Sequence, residues 1–156
     1  MGKYIPAKFK TRCNNPSAYI AKTSANIRRM AEGLMRYLID KDLDTDVRVY
    51  YKQGKTWTCL QSTKYSSDND AWMKVEHSHG KKSYTWYEHN DLDPNKFFEY
   101  NGDYLSMSFE GNLYYDLNYA FESGDYSTEE ELNNYFSHWG LYYEMGYAWS
   151  LSLYDL

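Results

Sequence analysis

Four histidines, two cysteines and 22 carboxylates are the side chains from which this chain could build a reactive site. His77 and His79 form an H-x-H pair. In an extended strand, positions i and i+2 project to one face, so two imidazoles could meet one metal ion. His89 falls near the far end of the facing strand, and Gly80, Lys81 and Lys82 follow the pair at once. Cations at a turn oppose a dication, and zinc takes three or four ligands where the sequence places two. The pair is therefore read as no metal site, and no cofactor is expected. Cys13 and Cys59 lie far apart and in no C-x-x-C, so they read as reduced thiols. Cys59 would need a histidine neighbour in space to act as a nucleophile, and on a hairpin packed by Trp57 it reads as a small core residue. The aspartate-rich stretch 40–46 lacks the glycine and glutamate of a calcium loop and reads as a polar turn. No phosphate-binding, dinucleotide-binding, zincin or nucleophile-elbow motif is present. Glu99, Asp103, Glu110 and Asp116 fall near element ends, which leaves a small carboxylate-based hydrolase as an alternative. Nothing in the sequence converges these four.

Charge is distributed unevenly. Residues 1–90 carry sixteen bases against nine acids, a formal +7, and residues 91–156 carry one base, Lys96, against thirteen acids, a formal −12. The acidic part also holds eleven of the 19 tyrosines. Tyrosine presents a large contact area with two torsions to freeze and suits recognition surfaces, although it also half-buries readily on sheets. The asymmetry points to a charged partner. No apolar run approaches the ~18 residues of a membrane span, and no signal-peptide core follows the N-terminal charges, so a cytoplasmic protein is expected.

The elements that must position these groups follow from periodicity. Residues 1–16 read as a basic arm in which Lys8, Lys10 and Arg12 alternate with apolar residues, and residues 17–156 read as one domain. Ile20, Ile27, Met30, Ala31, Leu34 and Leu38 share one face at helical spacing, which predicts a long amphipathic helix from about Pro16 to Lys41. Lys22, Arg29 and Arg36 recur every seven residues on its opposite face. Alternation predicts hairpins over 47–60 and 71–89 and a strand at 105–109. Asn112 is expected to cap a helix burying Leu113, Leu117, Ala120 and Phe121. Ser127 and Glu130 are expected to form a capping box for a second helix carrying Leu132, Phe136 and Trp139. A last strand or bent hairpin runs from Leu141 to Tyr154. The expected fold is α+β: the long N-terminal helix packed on a mostly antiparallel, twisted sheet, with two short C-terminal helices before the last strand.

The acids Glu122, Asp125, Glu129, Glu130 and Glu131 gather around the junction of those two helices. Carboxylates interleaved with aromatics can stand where a nucleic acid presents phosphates, and a basic partner would then be engaged by imitation. In size and acidity the chain resembles small phage and mobile-element proteins that block restriction or CRISPR nucleases, without sharing a motif with them. The resemblance implies a non-enzymatic inhibitor engaging a basic, nucleic-acid-handling protein such as a nuclease. The opposing reading is a direct nucleic-acid binder using Lys8, Lys10, Arg12, Lys22, Arg29 and Arg36 with aromatic stacking. The sequence pI of about 5.3 counts against it. The two poles could also meet head to tail in a homo-oligomer.

Overall fold

A run of apolar residues every third or fourth position makes α1, Ser24–Asp40, and buries Ile27, Met30, Ala31, Leu34, Met35 and Leu38. Five of these are large, and each gains roughly 2 kcal/mol on burial. That outweighs the ~1 kcal/mol that Gly33 costs in mid-helix. The glycine has a reason: a methyl group there would collide with the Tyr135 hydroxyl, which donates to the Met30 carbonyl at 2.7 Å. In this computed structural model, which describes residues 20–66, 72–98 and 102–156, the helix is shorter than its sequence pattern suggests. Thr23 caps it, accepting from the Asn26 amide at 3.2 Å, and residues 20–23 are not helical. The expected arm and the expected start at Pro16 lie outside the described residues.

Seven strands follow: β1 Val47–Gln53, β2 Thr56–Ser62, β3 Met73–His79, β4 Lys82–Asn90, β5 Leu105–Phe109, β6 Leu141–Met145 and β7 Ser150–Asp155. They form one antiparallel sheet in the order β3-β4-β2-β1-β5-β7-β6. Strand side chains alternate between faces, so register decides which residues meet the helix. Val49 stands opposite Leu60 and Met107, and Met107 opposite Leu151. These join α1 in the main core, along with Trp86, Phe109, Tyr143 and Leu153. The other face carries a smaller cluster of Tyr50, Trp57, Cys59 and Phe98, against which Trp72, Leu92 and Trp149 pack. On that face Arg48 donates to Gln61 at 2.7 Å and lies over the rings of Tyr65 and Trp72.

Three short helices precede β6: α2 Asn112–Asn118, α3 Ala120–Ser123 and α4 Ser127–His138. The sequence led us to expect two. The helix breaks at Tyr119, and the restart shifts its phase. Leu113 and Ala120 are buried as expected, but Phe121 is 83% exposed. Gly111 rather than Asn112 stands at the start of α2, and the Asn112 amide instead donates to the Asp42 carbonyl at 2.8 Å. The capping box does not form. Ser127 is already the first helical residue, and its amide donates to Asp125 at 3.0 Å. α4 buries Leu132 and Phe136 against the sheet face that α1 covers, and Phe136 meets the Tyr143 ring edge-on.

A Cβ at Gly111 would press into the backbone of Thr45, which leads into β1. Backbone cannot swing aside as a side-chain tip can. Gly111→Ala should lower stability by about 1–3 kcal/mol. Urea unfolding checks this, and an unchanged midpoint would mean that α2 does not dock here.

Candidate functional site

The fold gives the five acids of the C-terminal helix junction different environments. Glu122, Asp125, Glu130 and Glu131 are exposed, whereas Glu129 is buried at 8% exposure. Asp125 accepts from Ser127, and this hydrogen bonding holds its carboxyl below the usual range. Glu131 accepts from the Tyr37 hydroxyl at 3.1 Å and lies 3.6 Å from Lys41, so it ties α4 to α1. Asp116 accepts from the Thr128 hydroxyl at 2.8 Å and pins the start of α4. Glu122 and Glu130 project into solvent.

Glu129 is the unusual member. It sits in the first turn of α4, where the helix dipole favours a carboxylate. Yet the side chain turns inward, and its Oε2 is buried with no hydrogen-bond partner among the described residues. Burial pushes its carboxyl up, and the charge of Glu130 adds to this. It lines a pocket of about 350 Å³ with Leu117 and Asn118 of α2, Tyr143 and Met145 of β6, and the turn at Gly146. Asn118 fixes one wall by donating to the carbonyls of Tyr114 and Ala148 at 2.9 and 2.8 Å. Tyr147, stacked on Trp149 at 4.9 Å, forms another. Burial and the Glu129 charge together push the Tyr143 phenol up, so it stays a neutral hydrogen-bonding group.

The exposed surface of α2 and α3 is aromatic. Tyr115 and Tyr119, on and just beyond α2, stack at 5.6 Å and are 60% and 49% exposed. With Phe121 they make three large exposed rings within seven residues, bordered by Asp116 and Glu122. Scattered exposed apolar residues are ordinary, but a cluster rimmed by charge is the form that contact surfaces take.

Of the residues of the nucleic-acid alternative, Lys22, Arg29 and Arg36 fall among the described residues. Lys8, Lys10 and Arg12 lie outside the described residues. Lys22 precedes α1 and bonds the Ile20 carbonyl at 3.2 Å. Arg29 and Arg36 do share a groove of about 730 Å³ between α1 and α4, together with Lys41, His79, His138 and Trp139. Asp40 is the acid in that groove and pairs with Lys82. The ammonium of Lys82 holds its carboxyl below the usual range.

The histidines part company. His79 and His138 face that groove, His89 lies on the opposite side of the sheet against Trp72, and His77 turns toward α1. Register puts His89 opposite Cys59, but the cysteine is fully buried and burial pushes its thiol up, which leaves it inert. Of the four carboxylates considered for hydrolysis, Glu99 lies outside the described residues. Asp103 and Glu110 are exposed, and Asp116 is committed to Thr128.

No family model, curated protein or solved structure matches this chain. Among the described residues no helix is long and apolar enough to cross a membrane.

Proposed function

We propose that this chain is a non-enzymatic binding protein that engages a basic, nucleic-acid-handling protein, a nuclease being the type case, through the acidic and aromatic surface of α2, α3 and α4. The observation that carries this reading is the buried carboxylate of Glu129, which lines a pocket at that surface and whose Oε2 has no hydrogen-bond partner among the described residues. Leaving a charge in such a place costs stability, and a cation from outside relieves the cost. Desolvation of Glu129 is incurred on folding, before any partner arrives, so pairing in the complex is correspondingly favourable. An arginine fits best. Its guanidinium is weakly hydrated, stacks on aromatic faces such as Tyr143 and Tyr147, and bonds carboxylates through a planar fork. Tyr115, Tyr119 and Phe121 then supply apolar contact, while Glu122 and Glu130 steer the approach.

The test is a panel of purified basic nucleic-acid-binding proteins, nucleases included, offered to the immobilised chain. Capture should weaken steeply between about 0.05 M and about 0.3 M salt. Duplex DNA should compete for the captured protein. Changing Glu122 and Glu130 together to lysine should cut the association rate roughly tenfold or more while leaving the melting point near the parent's. Both residues are exposed, so the second expectation follows from the fold. Salt-independent capture, or capture indifferent to the double reversal, would overturn the reading.

One observation favours the second reading, direct binding of nucleic acid, and that is the groove shared by Arg29, Arg36 and Lys41 with Trp139. Salt-sensitive binding of DNA or RNA by the isolated protein, lost in Arg29→Glu with Arg36→Glu, would move the function there.

A further inference from the structure

The opposite edge of the sheet holds a second arrangement, independent of the acidic surface. Glu32 on α1, His77 on β3 and Glu88 on β4 converge there, and their ligand atoms lie within 4.8 Å of one another. His77 Nε2 stands 3.8 Å from Glu32 Oε2 and 3.9 Å from Glu88 Oε2. All three side chains are mostly sheltered, at 17% exposure for each glutamate and 29% for the histidine. Register explains the convergence. Met73 pairs with Glu88, Val75 with Trp86 and His77 with Tyr84, so these residues lie on the face that α1 covers. Glu32 reaches down from the helix onto them.

We propose that Glu32, His77 and Glu88 bind a divalent transition-metal ion, zinc by preference. His77 Nε2 is buried and makes no hydrogen bond, so a ring nitrogen points between two carboxylates with nothing to hold it. Among the described residues no group lies within hydrogen-bonding distance of it, and a cation bound to all three groups would supply a partner. One imidazole with two carboxylates is a donor set that suits zinc and, less tightly, manganese. Ligand atoms around tetrahedral zinc are about 3.4 Å apart, so a small rotation of each glutamate closes the site. The supporting contacts are in place. His77 stacks on Trp86 at 4.5 Å, and the Trp86 indole N–H donates to Glu88 Oε2 at 3.4 Å, which orients ring and carboxylate as outer-shell partners do.

Three protein ligands leave a fourth position for water. It faces a groove of about 800 Å³ lined by Arg28, Tyr51, Thr58, Lys74 and Asn90. An open position over a groove is the coordination of zinc that meets a small ligand, not of a closed structural site. Arg28 on the groove wall would favour an anionic ligand on that metal. The H-x-H spacing argues against a metal, because Lys81 and Lys82 follow at once and the pair places only two ligands, and His79 faces another groove. The two further ligands are glutamates from other elements.

Chelator-stripped protein, titrated calorimetrically with zinc chloride, should take up one equivalent with micromolar or tighter affinity and melt at a higher temperature when loaded. Protons compete for imidazole and carboxylate, so affinity should fall on acidification. Glu32→Gln and Glu88→Gln, which keep shape, should each weaken zinc roughly tenfold or more, and His77→Asn should abolish it. His79→Asn should change nothing. Cobalt(II) should give visible absorption in the parent and lose it in His77→Asn. Melting without metal keeps folding separate from binding in every variant. Substoichiometric zinc, or stoichiometric zinc that survives His77→Asn, would overturn the assignment.

Discussion

Leu34→Asp is expected to leave the protein unfolded at room temperature, while Arg29→Asp, five residues away on the same helix, is expected to leave stability within about 0.5 kcal/mol of the parent. Leu34 has no exposed surface and lies at the centre of the apolar face of α1. Removing its side chain from a packed core costs about 2–5 kcal/mol. Placing a carboxylate there adds several more, since the surrounding core is mostly apolar. The sum reaches the whole stability of a typical domain, about 5–15 kcal/mol. Arg29 is exposed, and its guanidinium donates to the Asn26 side chain at 2.9 Å, within one helical turn. Far-UV circular dichroism and thermal melts of the two variants decide the matter. Equal losses would mean that α1 presents a different face to the sheet.

Glu129→Gln should move stability and binding in opposite directions. The amide keeps the shape and removes a buried charge that has no hydrogen bond at Oε2. In the unbound protein this should stabilise by about 1–3 kcal/mol at neutral pH. The sign with pH follows from the direction of the shift. Burial raises the folded-state pKa of Glu129 above its unfolded value, so the ionised form is a penalty on folding. The advantage of the glutamine is therefore full above the raised pKa. It narrows as pH falls through that value and levels off below the ordinary glutamate range, near about 4.3. Urea unfolding of both proteins from neutral to acid pH measures it, and a constant difference would show that Glu129 is solvated. In a complex the same change deletes the partner of a buried cation. Such deletions cost about 2–5 kcal/mol, or roughly 30-fold and upward in affinity. A variant that is more stable yet binds its partner no less tightly would exclude Glu129 from the contact. Loss of binding together with loss of stability would point to a structural role instead.

Some of this molecule is written locally and some is not. Alternation in Val47, Val49 and Tyr51, and in Leu105, Met107 and Phe109, announces strands with one dry face, because side chains two apart share a face in any extended chain. The α1 stripe announces an amphipathic helix for the same kind of reason, and the imbalance of −12 after residue 90 is plain counting. The sequence by itself therefore determined an α+β chain with an antiparallel sheet and two electrical poles. Local spacing does not say where a helix must break or which polar residue ends up inside. Phe121 belongs to the apolar face of an unbroken helix and becomes exposed because the chain restarts after Tyr119. Glu129 looks like an ordinary first-turn acid, and only the packing of α4 against β6 and the β6–β7 turn turns it inward. Glu32, His77 and Glu88 are separated by 45 and 11 positions, with a helix and two strands between them and no spacing that would link them. Their meeting depends on the β3–β4 register and on how α1 crosses the sheet edge. Both are fixed by burying apolar surface elsewhere, so tertiary structure alone decided what these carboxylates face.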